Sequence, residues 1–352
     1  MSSPRPRPRD VGVVVGSGEP GPLNAITDVA GVQVGHVTLS TPPVRTGVTV
    51  VLPHDGNLFR EKVACGAHVI NGFGKATGLS QIMELGSLET PIALTNTLAV
   101  GTAFEGLVRD ALARNPEIGT TVGTVNPVVA ECNDQRLSDI RGLHVRPNHI
   151  IEAIESSAPG PVSEGSVGAG TGMVCYGWKG GIGTASRRTS DGWTVGVLLV
   201  TNFGRPKTLT IGHVPVGRLL PPPPAAVDAA GSCVAVVATD APLDSRQLCR
   251  VARRVQSGLA RTGTFVEHGS GEYAFAFSTA TKQVARSEAP TVVAAQLIDE
   301  SPAVDALFEA TTEAVEEAVV NSLFAATDVY DEQRLVWPAL SVESVLELLR
   351  AG

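Results

Sequence analysis

Several residues in this 352-residue chain are of types that handle acyl groups, and the first is a Gly-Ser pair. Gly231-Ser232 joins "RLLPPPPAAVDAA" to the apolar run "CVAVVAT". A serine hydroxyl is a weak nucleophile unless a base assists it. A serine that begins a chain carries such a base, its own α-amine, with a pKa of about 8. To become first, it attacks the preceding carbonyl, and water hydrolyses the resulting ester. Gly231 suits that step: glycine presents no side chain to the attack and tolerates strained backbone angles. The proline- and alanine-rich stretch upstream would let the new end swing away and open a pocket. The alternative is a plain loop-to-strand junction.

Three further positions could serve the same chemistry. In "HGSGEYAF", Ser270 and Glu272 stand two apart at the head of a strand, hence on one face. A hydroxyl and a carboxylate so placed can hold an ammonium or relay a proton, or they form a solvated strand edge. Glu131 ends the apolar "NPVVA" and precedes "CNDQRLSDIRG". It could anchor a substrate ammonium, or be a surface acid or the internal partner of Arg136 or Arg141. Asn202 ends "LLVTN" and could donate its amide to an oxyanion, or shape the turn before Gly204.

Other chemistries fit less well. "NGFGKATG" resembles a phosphate loop, but Ala76 follows Gly74-Lys75 where a metal-binding hydroxyl is needed. The glycines at 168, 170 and 172 do not complete G-x-G-x-x-G. Five cysteines (Cys65, Cys132, Cys175, Cys233, Cys249) form no C-x-x-C pair, and the seven histidines no H-x-x-x-H or H-E-x-x-H pattern. Neither a metal nor an organic cofactor is expected, and the thiols read as small buried groups in a reducing cytoplasm.

The elements that must position these residues follow from apolar periodicity. Strands are expected at "GVQVGHVTL" and "TGVTVVLP" as an antiparallel pair, then at "TPIALTNT", "TVNPVVAE", "WTVGVLLVTN", "CVAVVAT" and "EYAFAFST". "LSQIMEL" reads as a short helix. A second helix is expected from Val100 to Arg114 with Phe104, Leu107, Val108 and Leu112 inward, and a third from about Ser245. The clearest helix is Ser301 to Phe324, capped by Ser301 with Pro302 in its first turn. "SVESVLELLR" closes the chain as another. Strands and helices mix throughout without a repeat, so residues 1–352 are expected to form one domain.

Composition bounds the partners. With 27 basic and 35 acidic residues the net charge is −8, which argues against a nucleic-acid face. Apolar runs such as "GVLLV" are strand-sized, too short for a membrane span. "MSSPRPRPRD" is basic and proline-rich with no apolar core behind it, so residues 1–20 read as a flexible tail and not as a signal peptide. Residues 219–231 read as an exposed Pro/Ala-rich loop.

Taken in order, "NAITDVAGVQVGH", "TPIALTNTLAVGTA", "VVAECNDQRLSDIRGLHV", "EGSVGAGTGMVCYGWKGGIGTASR", "TNFG", "GSCVAVVATDAPL" and "GLARTGT" closely resemble the DmpA family of L-aminopeptidase/D-esterases and β-peptidyl aminopeptidases, over roughly residues 20 to 350. The resemblance implies an αββα sandwich of mixed α/β class, shared with ornithine acetyltransferases and distinct from the better-known N-terminal-nucleophile hydrolases. It implies one precursor that cuts itself into residues 1–231 and 232–352, which stay together. Gly231-Ser232 matches the cleavage junction and Ser232 the nucleophile. Ser270 and Glu272 match the pair that positions and protonates the new amino terminus. Asn202 matches the oxyanion-hole asparagine, and Glu131 the carboxylate that binds the substrate amine. Where some members carry a tyrosine that helps form the oxyanion hole, this chain has Asn133 at the substrate site. The implied activity is removal of N-terminal aminoacyl residues from small peptides, amides or esters by a cytoplasmic homo-oligomer. Two alternatives remain at this point: acyl transfer of the ornithine acetyltransferase type, which uses a threonine, and an uncleaved, non-catalytic protein that binds small amines or serves in assembly.

Overall fold

The computed structural model describes residues 5–221, 223, 231–284, 291 and 293–351. β1 (Gln33–Leu39) pairs antiparallel with the wholly buried β2 (Thr46–Leu52). β3 (Glu61–Gly72) runs into the glycine-rich loop and α1 (Leu79–Leu85), then β4 (Ser87–Leu88) and β5 (Ile92–Asn96). Next come α2 (Val100–Arg114), β6 (Val128–Cys132) and α3 (Pro147–Glu155). The glycine-dense segment folds into a small ribbon, β7 (Val174–Cys175) with β8 (Trp178–Lys179), and then β9 (Gly181–Arg188). β10 (Thr194–Asn202), α4 (Val216–Leu219), β11 (Ser232–Thr239), α5 (Ser245–Arg261) and β12 (Gly271–Val284) follow. The chain ends in α6 (Pro302–Ala325), the ribbon β13 (Val329–Asp331) and β14 (Arg334–Trp337), and α7 (Val342–Ala351).

Two main sheets result: a four-stranded one in the order β1-β2-β5-β6, and a six-stranded one in the order β4-β3-β12-β11-β10-β9. Strands apolar on both faces must be covered on both sides, and three apolar layers do this. Between the sheets lie Val51, Ile92 and Leu94 against Leu198, Val236 and Phe275. Outside the smaller sheet, Val48, Val50 and Val129 meet Ala103 and Leu107 of α2 and Ile150 of α3. Outside the larger sheet, Val197, Val237 and Ala276 meet Leu248 and Val255 of α5 and Val315 and Val319 of α6. Each fully buried side chain of this kind is worth roughly 1.5–3 kcal/mol. The result is the expected αββα sandwich of mixed α/β class. Among the described residues, no helix is long and apolar enough to cross a membrane.

Two expectations need correction, and a third falls largely outside the described residues. The segment expected as a flexible tail is packed from residue 5 onward. Val13 and Val15 are buried, Arg7 meets Glu164 at 2.7 Å, and Arg9 meets Glu317 of α6 at 2.6 Å. On α2 the inward stripe is Ala103, Leu107 and Ala111, and Phe104 and Leu112 face out. A close helix–sheet layer favours the small residues. The expected exposed loop at 219–231 falls largely on residues 222 and 224–230, outside the described ones. At its two ends Leu219 is exposed, but Pro223 and Gly231 are buried.

Candidate active site

Strand pairing assembles the candidate residues. In the antiparallel pair β10–β11, Asn202 lies opposite Ser232. In the parallel pair β11–β12, Ser232 lies beside Gly271, between Ser270 and Glu272. With neighbouring strands about 4.8 Å apart, Asn202, Ser232 and the Ser270–Glu272 pair form one row across the ends of three strands. β6, which touches β11 and β10, brings Glu131 to the same end. All five residues are buried, 2% to 5% exposed.

The Ser232 hydroxyl donates to the carbonyl of Gly231 at 2.7 Å, so the nucleophile candidate already rests against the peptide bond it would attack. The same carbonyl accepts the backbone N–H of Gly271 at 3.3 Å. A Cβ on Gly231 would lie 2.0 Å from the Asn202 carbonyl oxygen and 2.5 Å from the Cα of Phe203. The backbone-to-backbone contact therefore requires glycine before the serine, a steric reason beyond the ease of attack.

Asn202 is fixed at both ends. Its Oδ1 accepts the N–H of Val174 at 3.0 Å, and its Nδ2 donates to the Asn133 carbonyl at 2.9 Å. An amide has two N–H donors, so one is left for an oxyanion. Asn133 enters through its backbone; its side-chain oxygen accepts the N–H of Gln135 at 3.0 Å within its own loop.

The Ser270 hydroxyl donates to Glu272 Oε1. The other oxygen, Oε2, is buried without a hydrogen-bond partner among the described residues. Burial pushes the Glu272 carboxyl up to about 7; the bond from Ser270 opposes this and the charge of Glu267 adds to it. Glu131 is similar. Its Oε1 accepts the backbone N–H of Lys75 at 3.0 Å, while its buried Oε2 has no partner among the described residues. Burial raises its pKa, with Thr97 and then Lys75 opposing.

The alternative reading of Glu131 as the partner of Arg136 or Arg141 is not met: no such ion pair forms among the described residues. The cation near Glu131 is Lys75, whose Nζ stands 3.9 Å from Oε1 and donates to Thr97 Oγ1 at 2.9 Å. Lys75 and Asn71 are site residues that the sequence reading missed. Asn71 Nδ2 donates to the carbonyls of Glu267 at 3.1 Å, His268 at 3.0 Å and Ser270, and so holds the loop that leads to Glu272. Their signal was the "NGFGK" stretch. Its Gly74 serves close approach: a Cβ there would lie 3.0 Å from the Tyr273 ring and 3.1 Å from Glu131 Oε1. Asp134, also missed, is fully buried, and burial pushes its carboxyl up to about 7.

The chain matches known proteins over nearly its whole length. Residues 24–336 match the model of peptidase family S58. The β-peptidyl aminopeptidase BapA of Sphingosinicella microcystinivorans is 40% identical over 382 aligned positions, covering 99% of this chain and 94% of that protein. The crystal structure of the PH0078 protein from Pyrococcus horikoshii OT3 is 47% identical with a TM-score of 0.92, covering 98% of this chain and 99% of that one. The L-aminopeptidase D-Ala-esterase/amidase of Ochrobactrum anthropi, described as a prototype for the serine aminopeptidases and a variant of the Ntn hydrolase fold, is 38% identical with a TM-score of 0.91 over 99% of each chain.

Proposed function

The chain belongs to peptidase family S58, and from that premise we propose that it is a serine aminopeptidase which activates itself by cutting between Gly231 and Ser232. The aminopeptidase activity is that of its family and relatives; the assignment of residues to steps is our reading. The observation that carries it is the Ser232 hydroxyl, 2.7 Å from the Gly231 carbonyl oxygen, in a row with Asn202 and the Ser270–Glu272 pair.

In the first step Ser232 Oγ adds to the Gly231 carbonyl carbon. The C–N bond breaks, the nitrogen takes the hydroxyl proton, and an ester remains. Gly271 N–H, already on that carbonyl oxygen, polarises it. Water hydrolyses the ester, leaving the Gly231 carboxylate on residues 1–231 and a free α-amine on residues 232–352. That amine, of pKa about 8 in water, becomes the base for the same hydroxyl. The unpartnered Oε2 of Glu272 is the acceptor suited to hold it.

A substrate with a free amino terminus would place its ammonium at the unpartnered Oε2 of Glu131. Ser232 Oγ then attacks the first carbonyl carbon. The free N–H of the Asn202 amide takes the oxyanion, the leaving amine departs with the proton, and water releases the aminoacyl group. The relatives are named for β-peptidyl and L-aminoacyl activity. We propose the substrate class they share, a small peptide, amide or ester with a free amine.

We further propose a cytoplasmic homo-oligomer. Supporting this, the five cysteines are free thiols, and Met83, Leu85, Phe104 and Leu112 leave apolar surface exposed on α1 and α2. Light scattering on the purified protein tests the oligomer.

Intact mass under denaturing conditions tests the mechanism. Wild type should give two fragments split between Gly231 and Ser232, and Ser232→Ala one intact chain. A wild type that stays whole but hydrolyses peptides would keep the aminopeptidase and remove the free-amine mechanism.

A further inference from the structure

The roles above leave out one cation at the rim of the row. Arg136 lies on the loop after β6, five residues beyond Glu131 and three beyond Asn133, whose carbonyl holds the Asn202 amide. Its side chain is partly buried, and Nη2 is buried with no hydrogen-bond partner among the described residues. Several other guanidinium groups at least partly buried in this protein meet carboxylates, and Arg5 instead donates to the carbonyls of Ala326 and Leu340. Arg187 reaches Glu313 at 3.1 Å, Arg9 reaches Glu317 at 2.6 Å, and Arg7 reaches Glu164 at 2.7 Å. A buried charge without a partner is costly, so the position suits an anion arriving from outside.

The location is also informative. Burial works against the charge of Arg136, and Glu267 is the acid that supports it. Glu267 acts on Glu272 as well, which puts Arg136, Glu267 and Glu272 within electrostatic reach of one another. The Glu267 carboxylate is already engaged by Arg205 at 2.6 Å. The end of β6 and the loop after it thus present an acid with an unfilled acceptor, Glu131, and a cation with an unfilled donor, Arg136. That pattern is complementary to a short zwitterion, with an ammonium at one end and a carboxylate at the other. The planar fork of arginine matches a carboxylate with two parallel hydrogen bonds.

Resting on the aminopeptidase reading, we propose that Arg136 binds the C-terminal carboxylate of the substrate, which makes free dipeptides the preferred substrates over their amides and esters. Arg136 is then a specificity-determining residue on the leaving-group side.

The test compares kcat/KM for a dipeptide and its C-terminal amide in wild type, Arg136→Gln and Arg136→Lys, with intact mass confirming the cleaved form of each preparation. Wild type should favour the free acid by about 10- to 100-fold, the range expected for hydrogen bonds to a charged group. Arg136→Gln should bring that ratio close to one, mainly through KM, and Arg136→Lys should keep part of it. Because the readout is a ratio, a partly unfolded preparation does not imitate the effect. If wild type hydrolyses the amide at least as well as the acid, or if the ratio survives in Arg136→Gln, the inference is overturned and the aminopeptidase reading stands. If cleaved wild type hydrolyses neither substrate, the aminopeptidase reading fails and takes this one with it.

Discussion

Gly231 and Asn202 meet backbone to backbone: a Cβ on Gly231 would stand 2.0 Å from the Asn202 carbonyl oxygen. The residue before the proposed nucleophile therefore packs against the proposed oxyanion donor. Gly231→Ala must push β10 and β11 apart at their ends, an overpacking that costs about 1–3 kcal/mol. Lowered thermal stability is expected together with slowed self-cleavage, followed by differential scanning calorimetry and by intact mass against time. Cleavage at the wild-type rate would mean that the contact plays no part in presenting the bond.

Glu272 makes stability depend on pH in a defined direction. Its carboxyl is raised by burial to about 7 in the folded chain, against an ordinary value of 4.5. Below the ordinary value the group is protonated in both states and contributes nothing. As pH rises towards 7 the unfolded chain ionises while the folded chain keeps its proton, so stability is lost; above 7 the loss is constant. At about 1.4 kcal/mol per unit, discounted for screening, the penalty is roughly 2–3 kcal/mol. In a Ser232→Ala background, which holds the bond intact, Glu272→Gln should gain this much relative to its parent between pH 4 and pH 8. Urea denaturation at the two pH values measures it, and an equal difference at both would contradict it.

Arg187 ties β9 to α6. Its Nε stands 3.1 Å from Glu313 Oε2 and its Nη2 2.6 Å from Glu317 Oε2, with no exposure. Burial opposes the charge on both acids. The N–H groups of Ser17 and Gly18 with Arg187 outweigh it at Glu313, and Arg9 with Arg187 at Glu317, so both stay below the ordinary range. Arg187→Met should cost about 3–5 kcal/mol at pH 7. Depressed acids contribute stability above their ordinary pKa and lose it as pH falls through the folded value, so the deficit should shrink below pH 4.5. Arg9→Ala, which leaves Arg187 in place, should cost less. Denaturant titration of both variants at pH 7 and pH 4 checks the order and the sign.

Local periodicity made much of this fold legible. The bounds of α1 and α2 and the Ser301 cap of α6 follow from apolar spacing and capping chemistry. Periodicity identified α2 but misjudged its face, because Phe104 and Leu112 are more apolar than Ala103 and Ala111, while the packing against the sheet selects for small size. The amino-terminal segment was illegible for a different reason. It is anchored by Arg7 to Glu164 and Arg9 to Glu317, partners 157 and 308 residues away, with no local pattern to betray them. The site lay between these cases. Ser232, Asn202 and Ser270 with Glu272 were visible singly at strand ends, but only pairing in register sets them in a row. Asn71 sits at the end of β3 opposite Glu272, a pairing visible only in register, and Lys75 and Arg136 owe their places to loops at the strand ends, which no spacing encodes.

Glu131 separates the two reactions that Ser232 is proposed to perform. Self-cleavage uses only the chain's own Gly231 carbonyl, whereas turnover needs a foreign ammonium at the buried Oε2 of Glu131. Glu131→Gln keeps the oxygen that accepts the Lys75 N–H at 3.0 Å but removes the charge. It should raise KM by about 10- to 100-fold, the loss of one charge-assisted bond, while fragments of 1–231 and 232–352 still form. Lys75 refines the argument, because its Nζ lies 3.9 Å from the same carboxylate and is well exposed. It offsets part of the acid's charge before substrate arrives, so Lys75→Met should lower KM where Glu131→Gln raises it. Steady-state kinetics and intact mass on the same preparations give both readouts. If Glu131→Gln slows self-cleavage as much as turnover, the carboxylate acts on the chemistry of Ser232 itself and the substrate ammonium must be held elsewhere.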